Sequence, residues 1–305
     1  MRVGFIGLGA MGRLMALHLL RRGYPLGVYA RRPQTAVPLT AAGAVLYATP
    51  AALGESSDVV VTMLTATSDV EDILLGSNGA VERACPGTVF IDMSTILPAA
   101  AVEIGKTLAA RGLDFVDAPV SGGPVRAENA TLTIMVGADG LVLKRVRPIL
   151  DCLGSLVVHV GGVGAGQTTK VCNQLVLLIT AEAVAEGLAL AGRSGLDPGL
   201  VMQALLGGLA SSRVLDLFGG RMVSRSFESG IPVRLYDKDI RIVFDTAARV
   251  GQVLPALEIV RAHLEMLMAR GDGEKDLSVL MEVLEGAAAS SHGPKRPQGT
   301  LAAEG

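Results

Sequence analysis

Aromatic residues are scarce in this 305-residue chain, where they make up 3% of the sequence and tryptophan is absent. Single-stranded nucleic acids usually bind by stacking bases on aromatic side chains along a basic groove, and no tract of Lys and Arg is present either. We therefore expect no nucleic-acid partner. Charged residues are also few, at 18%, but half of the chain is apolar, which excludes bulk disorder and allows a sizeable buried core.

Cysteine and histidine are too few and too scattered to define a site. The three cysteines (Cys85, Cys152 and Cys172) and the four histidines show neither paired nor metal-ligand spacing. A disulfide scaffold and a Cys/His zinc site are therefore both disfavoured, and we expect no metal ion. Reduced thiols are typical of the cytoplasm, which is the location we expect.

The sequence also lacks a convincing targeting or membrane segment. The apolar start at 1–12 breaks into glycines and has no small-residue cleavage site after a long apolar core. The most apolar stretch, 171–192, contains Glu182 and Glu186, whose charges would be costly inside a bilayer. A buried helix is the better interpretation, and we expect no association with a membrane.

Acidic residues are missing from the first 54 positions, although the whole chain carries a formal net charge of −2. The arginines of that segment are Arg2, Arg13, Arg21, Arg22, Arg31 and Arg32. They give it a charge of +6 and leave −8 for the remainder. Such local positive charge predicts an anionic ligand near the N-terminus.

Up to about residue 160, short β-rich segments alternate with helical ones. The predicted strands are 2–6, 26–29, 59–64, 89–92, 114–116, 131–136 and 156–160. The predicted helices between them are 10–22, 68–75, 99–111 and 140–150. This alternation is typical of a doubly wound, mainly parallel α/β sheet.

The chain changes character at the glycine-rich segment 161–166. Beyond it, helical periodicity covers 167–192, 198–206, 240–250, 255–269 and 276–284, and convincing strands are lacking. From Gly286 on, the residues are small and polar, as in a frayed tail. We predict a first domain at 1–161, an all-α substrate or oligomerisation domain at 162–286, and a disordered tail at 287–305.

A glycine-rich loop joins the first predicted strand to the first predicted helix through the motif G-x-G-x-x-G. It comprises Gly7, Leu8, Gly9, Ala10, Met11 and Gly12. The first glycine allows a tight turn, the second lets a pyrophosphate approach the backbone, and the third permits close packing of helix on strand. Together with the free N–H groups of a helix start, the loop predicts an N-terminal Rossmann domain that binds a dinucleotide.

The end of the second predicted strand favours NADP(H) as the cofactor, with NAD(H) left as the alternative. Sites that prefer NAD usually carry Asp or Glu about 20 residues past the loop, bound to the ribose 2′-hydroxyl. Here Arg31 and Arg32 follow Ala30, and no acid is nearby. A guanidinium can bind a 2′-phosphate through paired hydrogen bonds and stack on adenine.

Four later segments are specific enough to indicate a family. They read F-I-D-M-S-T-I-L-P from Phe90, D-A-P-V-S-G-G-P from Asp117, G-A-G-Q-T-T-K-V-C-N-Q from Gly164 and Y-D-K-D from Tyr236. With the N-terminal loop, they occur in order from residue 1 to about 286 and resemble the β-hydroxyacid dehydrogenase family. That family includes 3-hydroxyisobutyrate dehydrogenases, tartronate semialdehyde reductases and glyoxylate/succinic semialdehyde reductases.

The resemblance implies a Rossmann domain that binds NAD(P) and an all-α domain that closes over the active site. Beyond the glycine loop, the implied cofactor contacts are Met63, Leu64, Thr95 and Lys238. The implied substrate-carboxylate site is Ser121, Gly122 and Gly123, and the implied catalytic residue is Lys170. A homodimer or homotetramer is also implied, because the helical domains of this family commonly pair.

Lys170 suits carbonyl reduction on chemical grounds alone. Hydride addition places negative charge on the carbonyl oxygen; an ammonium group can supply the proton, and the neutral amine accepts it in the reverse direction. This use requires the pKa to fall from its ordinary value of about 10.4. Asn173 and Gln174 lie three and four residues further along the helix, so we expect them to share its face and to orient the ammonium or the substrate.

Three positions depart from the family pattern. Gln174 stands where asparagine is usual, Ala30 where asparagine commonly precedes the first arginine, and Ile231 where relatives often have phenylalanine. The amide of Gln174 is displaced by one methylene, and position 231 faces the substrate in the family. We expect a short carboxylate-bearing semialdehyde or 2-oxo acid and its hydroxy acid as the substrate pair, in an altered pocket.

Two other functions share this architecture. Imine reductases resemble it but usually replace the lysine with another proton donor. Some non-catalytic NADP-binding interaction proteins of this type have lost the lysine altogether. Lys170, Thr95 and the Ser121-Gly122-Gly123 segment therefore favour an active hydroxyacid dehydrogenase over both alternatives.

Overall fold

The computed structural model describes residues 1–228 and 230–291, with the backbone alone for 287–291. It divides into two compact units. The first comprises residues 1–174 and 238–253, and the second comprises 175–237 together with the described residues from 254 onward. The chain thus leaves the first unit within one helix and returns to it within another.

The first unit is built on one nine-stranded sheet. Its strands are β1 (Val3–Ile6), β2 (Leu26–Tyr29), β3 (Val45–Leu46), β4 (Val59–Thr62), β5 (Val89–Asp92), β6 (Asp114–Asp117), β7 (Val120–Ser121), β8 (Leu132–Gly137) and β9 (Gly154–Gly161). They lie in the order β3-β2-β1-β4-β5-β6-β8-β7, and β9 pairs with β8. The strands from β1 to β6 pair in parallel, whereas β8 runs antiparallel to β6 and β7. The strand order reverses at β1, and open α/β sheets bind ligands at such a switch point.

Helices cover both faces of this sheet. They are α1 (Gly12–Arg21), α2 (Val37–Ala41), α3 (Pro50–Glu55), α4 (Thr67–Leu75), α5 (Pro98–Ala109), α6 (Gly123–Glu128) and α7 (Gly140–Leu150). On one face, Phe5 of β1 belongs to the same buried cluster as Met15 and Leu19 of α1. On the other face, Ile6 belongs to a cluster with Ile104 of α5. Alternate residues of β1 therefore enter opposite cores, as in a parallel strand that is buried on both sides.

The helix α8 (Ala165–Arg193) runs for 29 residues, and its first part, 165–174, belongs to the first unit. By length and composition it is apolar enough to cross a membrane, a property that core helices of soluble proteins share. It nevertheless carries the buried polar side chains Gln167, Lys170, Gln174 and Glu182. Because buried polar groups are costly unless they are hydrogen-bonded, each of them requires a partner.

The second unit is built from helices. They are the remainder of α8, α9 (Pro198–Leu206), α10 (Gly220–Ser224), the start of α11 (Val233–Arg249), α12 (Pro255–Ala269) and α13 (Leu280–Ser291). Two buried carboxylates tie these helices together. Asp276 accepts hydrogen bonds from Arg221 Nη1 and Ser278 Oγ, both at 2.7 Å. Glu182 Oε1 of α8 lies 2.7 Å from Nδ1 of His263 on α12.

The predicted fold class, a Rossmann-type α/β domain followed by an all-α domain, is confirmed. The strands at 26–29 and 89–92 and the helices at 140–150, 198–206 and 255–269 have the predicted bounds. The prediction missed β3, β7, α2, α3, α6 and α10. It was also wrong about the start of α11, which lies at Val233 rather than at residue 240. The two-residue strands are too short to show alternation, and the polar run 236–239 interrupts the apolar periodicity of α11.

The boundary at 161/162 stays a prediction, because the compact units divide the chain in a different way. The first unit extends to Gln174 and regains residues 238–253. The physical reason is that polar side chains of α8 and α11 hydrogen-bond to backbone groups of the first unit: Lys170 to the carbonyl of Val120 in β7, and Lys238 to that of Thr95 after β5. Residues 287–291, placed in the predicted tail, continue the backbone of α13. The rest of that tail, 292–305, lies outside the described residues.

Candidate functional site

The glycine loop after β1 has the geometry that its motif predicts. Gly7 has φ +100°, and a Cβ there would overlap the carbonyl of Met63. A Cβ at Gly12 would overlap the carbonyl oxygen of Gly7, so only glycine allows α1 to start this close to the strand. At Gly9, by contrast, a Cβ would meet no atom within 4 Å. The loop therefore leaves open space above Gly9, at the start of α1, which fits the pyrophosphate of a dinucleotide.

A cavity of about 350 Å³ lies beyond the end of β2. It is lined by Tyr29, Ala30, Arg31, Pro33, Leu46, Tyr47 and Ala48. Arg31 is largely exposed, and its Nη1 lies 3.8 Å from Oδ1 of Asp69 at the start of α4. Arg32 is exposed as well but is not among the lining residues. Of the two predicted arginines, the structure thus places Arg31 at the cavity and Arg32 beside it.

A buried network joins the loops that follow β4 and β5. Asp92 Oδ1 accepts hydrogen bonds from Thr62 Oγ1 at 2.7 Å and Ser94 Oγ at 2.6 Å. Ser94 Oγ in turn accepts one from the backbone N–H of Leu64 at 2.8 Å. Burial raises the pKa of the Asp92 carboxyl group above its ordinary range. The predicted cofactor contacts Met63 and Leu64 are therefore held against the segment that carries Thr95.

Thr95 and Lys238, which are far apart in the sequence, meet directly. The Nζ atom of Lys238, on α11, donates a hydrogen bond of 2.9 Å to the carbonyl oxygen of Thr95. The same Nζ lies 2.8 Å from Oδ1 of Asp239. Lys238 therefore links α11 to the loop after β5 and brings a positive charge to the carboxyl edge of the sheet.

The segment Ser121-Gly122-Gly123 joins β7 to the short helix α6. Gly122 and Gly123 have φ values of +134° and +65°, which L side chains rarely adopt. A Cβ at Gly122 would in addition overlap the side chain of Arg126. Two successive glycines in this conformation expose backbone N–H groups that can approach an anion.

Lys170 lies on the part of α8 that belongs to the first unit, and it is 8% exposed. Its Nζ donates a hydrogen bond of 2.9 Å to the carbonyl oxygen of Val120, the residue before Ser121. Burial lowers the pKa of Lys170 to about 8; Asp239 opposes this shift by its negative charge, and Lys238 adds to it by its positive charge. The amine can therefore exchange a proton near neutral pH.

Gln174 is hydrogen-bonded to Asp239 of α11, and Asn173 is hydrogen-bonded to Gln174. Gln174 Nε2 donates a hydrogen bond of 2.5 Å to Oδ2 of Asp239, and Gln174 Oε1 accepts one of 2.8 Å from Nδ2 of Asn173. The longer side chain of Gln174 thus reaches a carboxylate that lies close enough to influence Lys170. Ile231, the third departure from the family pattern, lies half-buried in the second unit.

Sequence reasoning missed three residues of this constellation. A carboxylate next to a lysine, such as Asp239 beside Lys238, is usually a solvated surface pair, yet Asp239 is buried. Asp117 and Gln167 are buried too and bind each other through the Gln167 backbone N–H. The sequence did carry signals for Asp117 and Gln167. Asp117 directly follows a predicted parallel strand, and Gln167 stands three residues before Lys170, on the same helix face.

Metal ligation is not indicated at this site. Within residues 1–228 and 230–291, no group of three or more His, Cys, Asp and Glu side chains is arranged to hold a metal ion. The nearby carboxylates Asp92, Asp117 and Asp239 instead accept hydrogen bonds from protein groups.

The class of protein follows from three features of the first unit. They are the Rossmann-type sheet, the glycine loop with its open space for a pyrophosphate, and the buried lysine near the carboxyl edge of the sheet. Together they are typical of an NAD(P)-dependent oxidoreductase. The model for the NAD binding domain of 6-phosphogluconate dehydrogenase matches residues 2–162. The model for the NAD-binding region of NADP-dependent 3-hydroxyisobutyrate dehydrogenase matches residues 164–284. The chain belongs to the β-hydroxyacid dehydrogenase family, as its motifs predict, and it is an NAD(P)-dependent dehydrogenase or reductase of hydroxy acids.

Individual relatives are similar over nearly the whole chain. The 2-hydroxy-3-oxopropionate reductase of Escherichia coli (strain K12) is 40% identical over 285 residues, which are 93% of this chain and 97% of that protein. The structure of Mycobacterium tuberculosis 3-hydroxyisobutyrate dehydrogenase with L-serine has a TM-score of 0.86 and 29% identity, covering 93% of this chain and 98% of that one. The structure of Psf3 in complex with NADP+ and 2-OPP has a TM-score of 0.83 and 25% identity, and the match covers 92% of this chain and 99% of that one.

Proposed function

We propose that this enzyme prefers NADP(H) and interconverts a short carboxylate-bearing semialdehyde or 2-oxo acid and its hydroxy acid. The observation that carries the proposal is the environment of Lys170. Its buried Nζ bonds to the residue before Ser121, and its pKa is lowered to about 8. A proton donor and a predicted carboxylate-binding turn thus adjoin each other in one unit.

The cofactor site is assigned to residues that surround the switch point of the sheet. The loop from Gly7 to Gly12 would hold the pyrophosphate, and Met63, Leu64 and Thr95 would line the cofactor toward its reactive end. When bound, the nicotinamide cofactor supplies or accepts the hydride. Arg31 would bind a 2′-phosphate, because its guanidinium lies at the cavity beyond β2 and no residue with a negative charge lines that cavity.

Lys170 would move the proton of the reaction. In the direction of reduction, its ammonium donates a proton to the substrate oxygen as negative charge develops there. In the direction of oxidation, the neutral amine removes the proton from the hydroxyl group. A pKa near 8 makes both forms accessible close to neutral pH, whereas an ordinary lysine would be almost entirely protonated.

The substrate carboxylate would bind to the Ser121-Gly122-Gly123 turn. The hydroxyl group of Ser121 and the backbone N–H groups that the two glycines expose are suitable donors for an anion. This anchor supports a small acidic substrate, and the name of the Escherichia coli relative, 2-hydroxy-3-oxopropionate reductase, points to the same class. The NADP+ bound to Psf3 supports the choice of cofactor.

The two alternatives are less well supported. An imine reductase has no need for a carboxylate anchor of this kind next to its proton donor. A non-catalytic NADP-binding protein has no need for a buried lysine with a lowered pKa, which is costly to maintain. We further propose a cytoplasmic homodimer or homotetramer without nucleic-acid or membrane partners, on the grounds of composition and family resemblance given above.

The test is consumption of NADPH and of NADH with a panel of candidate substrates. The panel contains succinic semialdehyde, tartronate semialdehyde, methylmalonate semialdehyde, glyoxylate and a cyclic imine. We expect turnover of at least one of the acids, faster with NADPH, and none of the imine. Turnover of the imine alone, or tight NADPH binding without any turnover, would overturn the proposal in favour of the corresponding alternative.

A further inference from the structure

Asp117, the last residue of β6, is completely buried and binds the start of α8. Its Oδ1 accepts a hydrogen bond from the backbone N–H of Gly164, and its Oδ2 accepts one from that of Gln167, both at 2.7 Å. The first backbone N–H groups of a helix have no partner within the helix, so this carboxylate satisfies donors that burial would otherwise leave unpaired. A negative charge at a helix N-terminus is also favourable to the helix dipole.

Gln167 extends the attachment to the neighbouring strand. Its side chain is completely buried: Nε2 donates a hydrogen bond of 2.8 Å to the carbonyl oxygen of Ser94, and Oε1 accepts one of 3.1 Å from the N–H of Ile96. These two backbone groups flank Thr95. One side chain therefore fixes the first turn of α8 to the loop after β5 on both sides of a predicted cofactor contact.

The same short segment of chain holds α8 at two successive turns. Asp117 binds the N–H of Gln167, and the carbonyl of Val120 binds Nζ of Lys170, three residues further along the helix. Residues three apart lie on the same helix face. The direction of the Lys170 side chain thus depends on where the preceding turn of α8 is anchored.

We propose that Asp117 and Gln167 are positioning residues for the reaction proposed above: by anchoring the first turn of α8 to the ends of β5 and β6, they hold Lys170 in its buried place beside Ser121. Neither side chain is free to act on a substrate directly. Both carboxylate oxygens of Asp117, and both Oε1 and Nε2 of Gln167, are hydrogen-bonded to backbone groups. Their contribution is made through the lysine.

The protonation state of Asp117 is consistent with this role. Burial raises the pKa of its carboxyl group to about 6; the backbone N–H groups of Gly164 and Gln167 oppose the shift, and Asp92 on the adjacent strand adds to it. The group is therefore ionised at the pH values near 8 at which Lys170 titrates, and both of its oxygens are then available as acceptors.

The experiment compares Asp117→Asn, Gln167→Met and Asp139→Asn. Asparagine at 117 would face one backbone N–H with an NH₂ group, and methionine at 167 would remove both bonds to the β5 loop at similar volume. Asp139 is the matched control: it caps α7 in the same unit by accepting bonds from Leu141 and Val142 N–H, and it is remote in sequence from every predicted site residue. Each variant is assayed on the aldehyde that the unmodified enzyme reduces.

We expect Asp117→Asn and Gln167→Met to lower kcat by about 10- to 100-fold, the cost of displacing a reacting group by about 1 Å. KM for NADPH should change little in Asp117→Asn, because the bonds of Asp117 go to the start of α8 and not to the segment around Thr95. The alkaline limb of the kcat profile should move upward in pH, because water that reaches a loosened Lys170 restores its pKa toward the ordinary value. Asp139→Asn should leave both kcat and the limb unchanged. If Gln167→Met folds and neither its kcat nor the alkaline limb of its pH profile changes, the proposal is overturned. This test holds even if Asp117→Asn does not fold.

A second readout does not require turnover. The rate of reductive methylation of Lys170 by formaldehyde and cyanoborohydride, followed across pH by peptide mass spectrometry, reports the fraction of neutral amine. We expect the midpoint for Lys170 to rise in Asp117→Asn and Gln167→Met but not in Asp139→Asn. If the unmodified enzyme reduced none of the panel, the proposed function would fail, and this titration alone would still support or overturn the positioning role.

Discussion

The Nζ atom of Lys170 donates a hydrogen bond of 2.9 Å to the carbonyl oxygen of Val120, so the lysine is directed at the residue that immediately precedes Ser121. The amine is buried, and this burial lowers its pKa to about 8, below the ordinary value. This relationship ties the predicted proton donor to the predicted carboxylate site and leads to the first prediction.

Replacement of Lys170 should abolish proton transfer but spare cofactor binding. We expect Lys170→Ala to lower kcat by about 10² to 10⁴-fold, the usual contribution of a general acid or base, with NADPH affinity unchanged by fluorescence titration. Lys106→Ala, at an exposed lysine of α5, is the control and should keep full activity. Full activity of Lys170→Ala would contradict the assigned role.

The pH profile should depend on the direction of the reaction. Reduction needs the ammonium form, so kcat for reduction should fall as pH rises through about 8, whereas kcat for oxidation should rise over the same interval. Lys170→Arg keeps the charge but cannot give up a proton near that pH. For Lys170→Arg we therefore expect neither the fall of kcat for reduction nor the rise of kcat for oxidation near pH 8. If either change persists in this variant, a group other than Lys170 causes it.

Two glycines of the N-terminal loop should respond differently to alanine. Gly9→Ala places a methyl group in the open space meant for the pyrophosphate, so we expect a loss of NADPH affinity of about tenfold or more, ~1.4 kcal/mol, with unchanged unfolding free energy. Gly12→Ala forces a methyl group against the Gly7 carbonyl and should also cost about 1–3 kcal/mol of stability. Gly140→Ala, another open position, is the control for both measurements. Equal behaviour of Gly9→Ala and Gly140→Ala would show that the space above Gly9 is not used.

Arg31 should decide the choice between the two cofactors. Removal of a charge-assisted contact to the 2′-phosphate costs about 1.5–3 kcal/mol, so Arg31→Ala should weaken NADPH about 10- to 100-fold while NADH binding changes little. Arg32→Ala should have the smaller effect, because Arg32 does not line the cavity beyond β2. The measurement is Kd for each cofactor by fluorescence. Equal losses for NADPH and NADH in Arg31→Ala would contradict the assignment.

The buried carboxyl group of Asp117 should make stability depend on pH. Its pKa is about 6 in the folded protein against an ordinary 3.8, so the folded state holds the proton more tightly than the unfolded state does. This contribution is fully present below about pH 4 and is lost as pH rises to about 6, by at most about 3 kcal/mol. Asp117→Asn should remove this part of the pH dependence in urea unfolding, whereas Asp139→Asn should retain it. If the free energy of unfolding of Asp117→Asn still falls between about pH 4 and 6 as it does in the unmodified protein, other groups cause the pH dependence.

The local motifs could be interpreted from the sequence because each is defined within a few residues. The loop from Gly7 to Gly12 needs only a strand, a turn and a helix start, and the backbone constraints on its glycines do not depend on the rest of the chain. The same is true of the turn at Gly122 and Gly123. Whether Arg31 reaches a cavity depends on β3 and the residues after it, and β3 is too short for the sequence to reveal.

Partners that lie across the sheet could not be predicted in this way. The sequence gives no reason to place Asp239 in the site, because its immediate neighbour is Lys238 and adjacent opposite charges are usually solvated. Its burial and its 2.5 Å bond to Gln174 arise only when α11 packs beside α8 in the first unit. The sequence predicts that Gln174 orients the ammonium or the substrate, but it gives no sign that the amide of Gln174 is bound to Asp239 and Asn173.

The sequence by itself determined the alternating fold, the dinucleotide loop, the family and the candidate lysine, because backbone conformation and side-chain chemistry specify these over short stretches. Only the tertiary structure decided what surrounds that lysine. The contacts of Asp117 with Gly164, of Gln167 with Ser94 and of Gln174 with Asp239 join positions 47, 73 and 65 residues apart. Such pairs are set by strand order and helix packing, since the carboxyl ends of β5 and β6 become neighbours only in the assembled sheet.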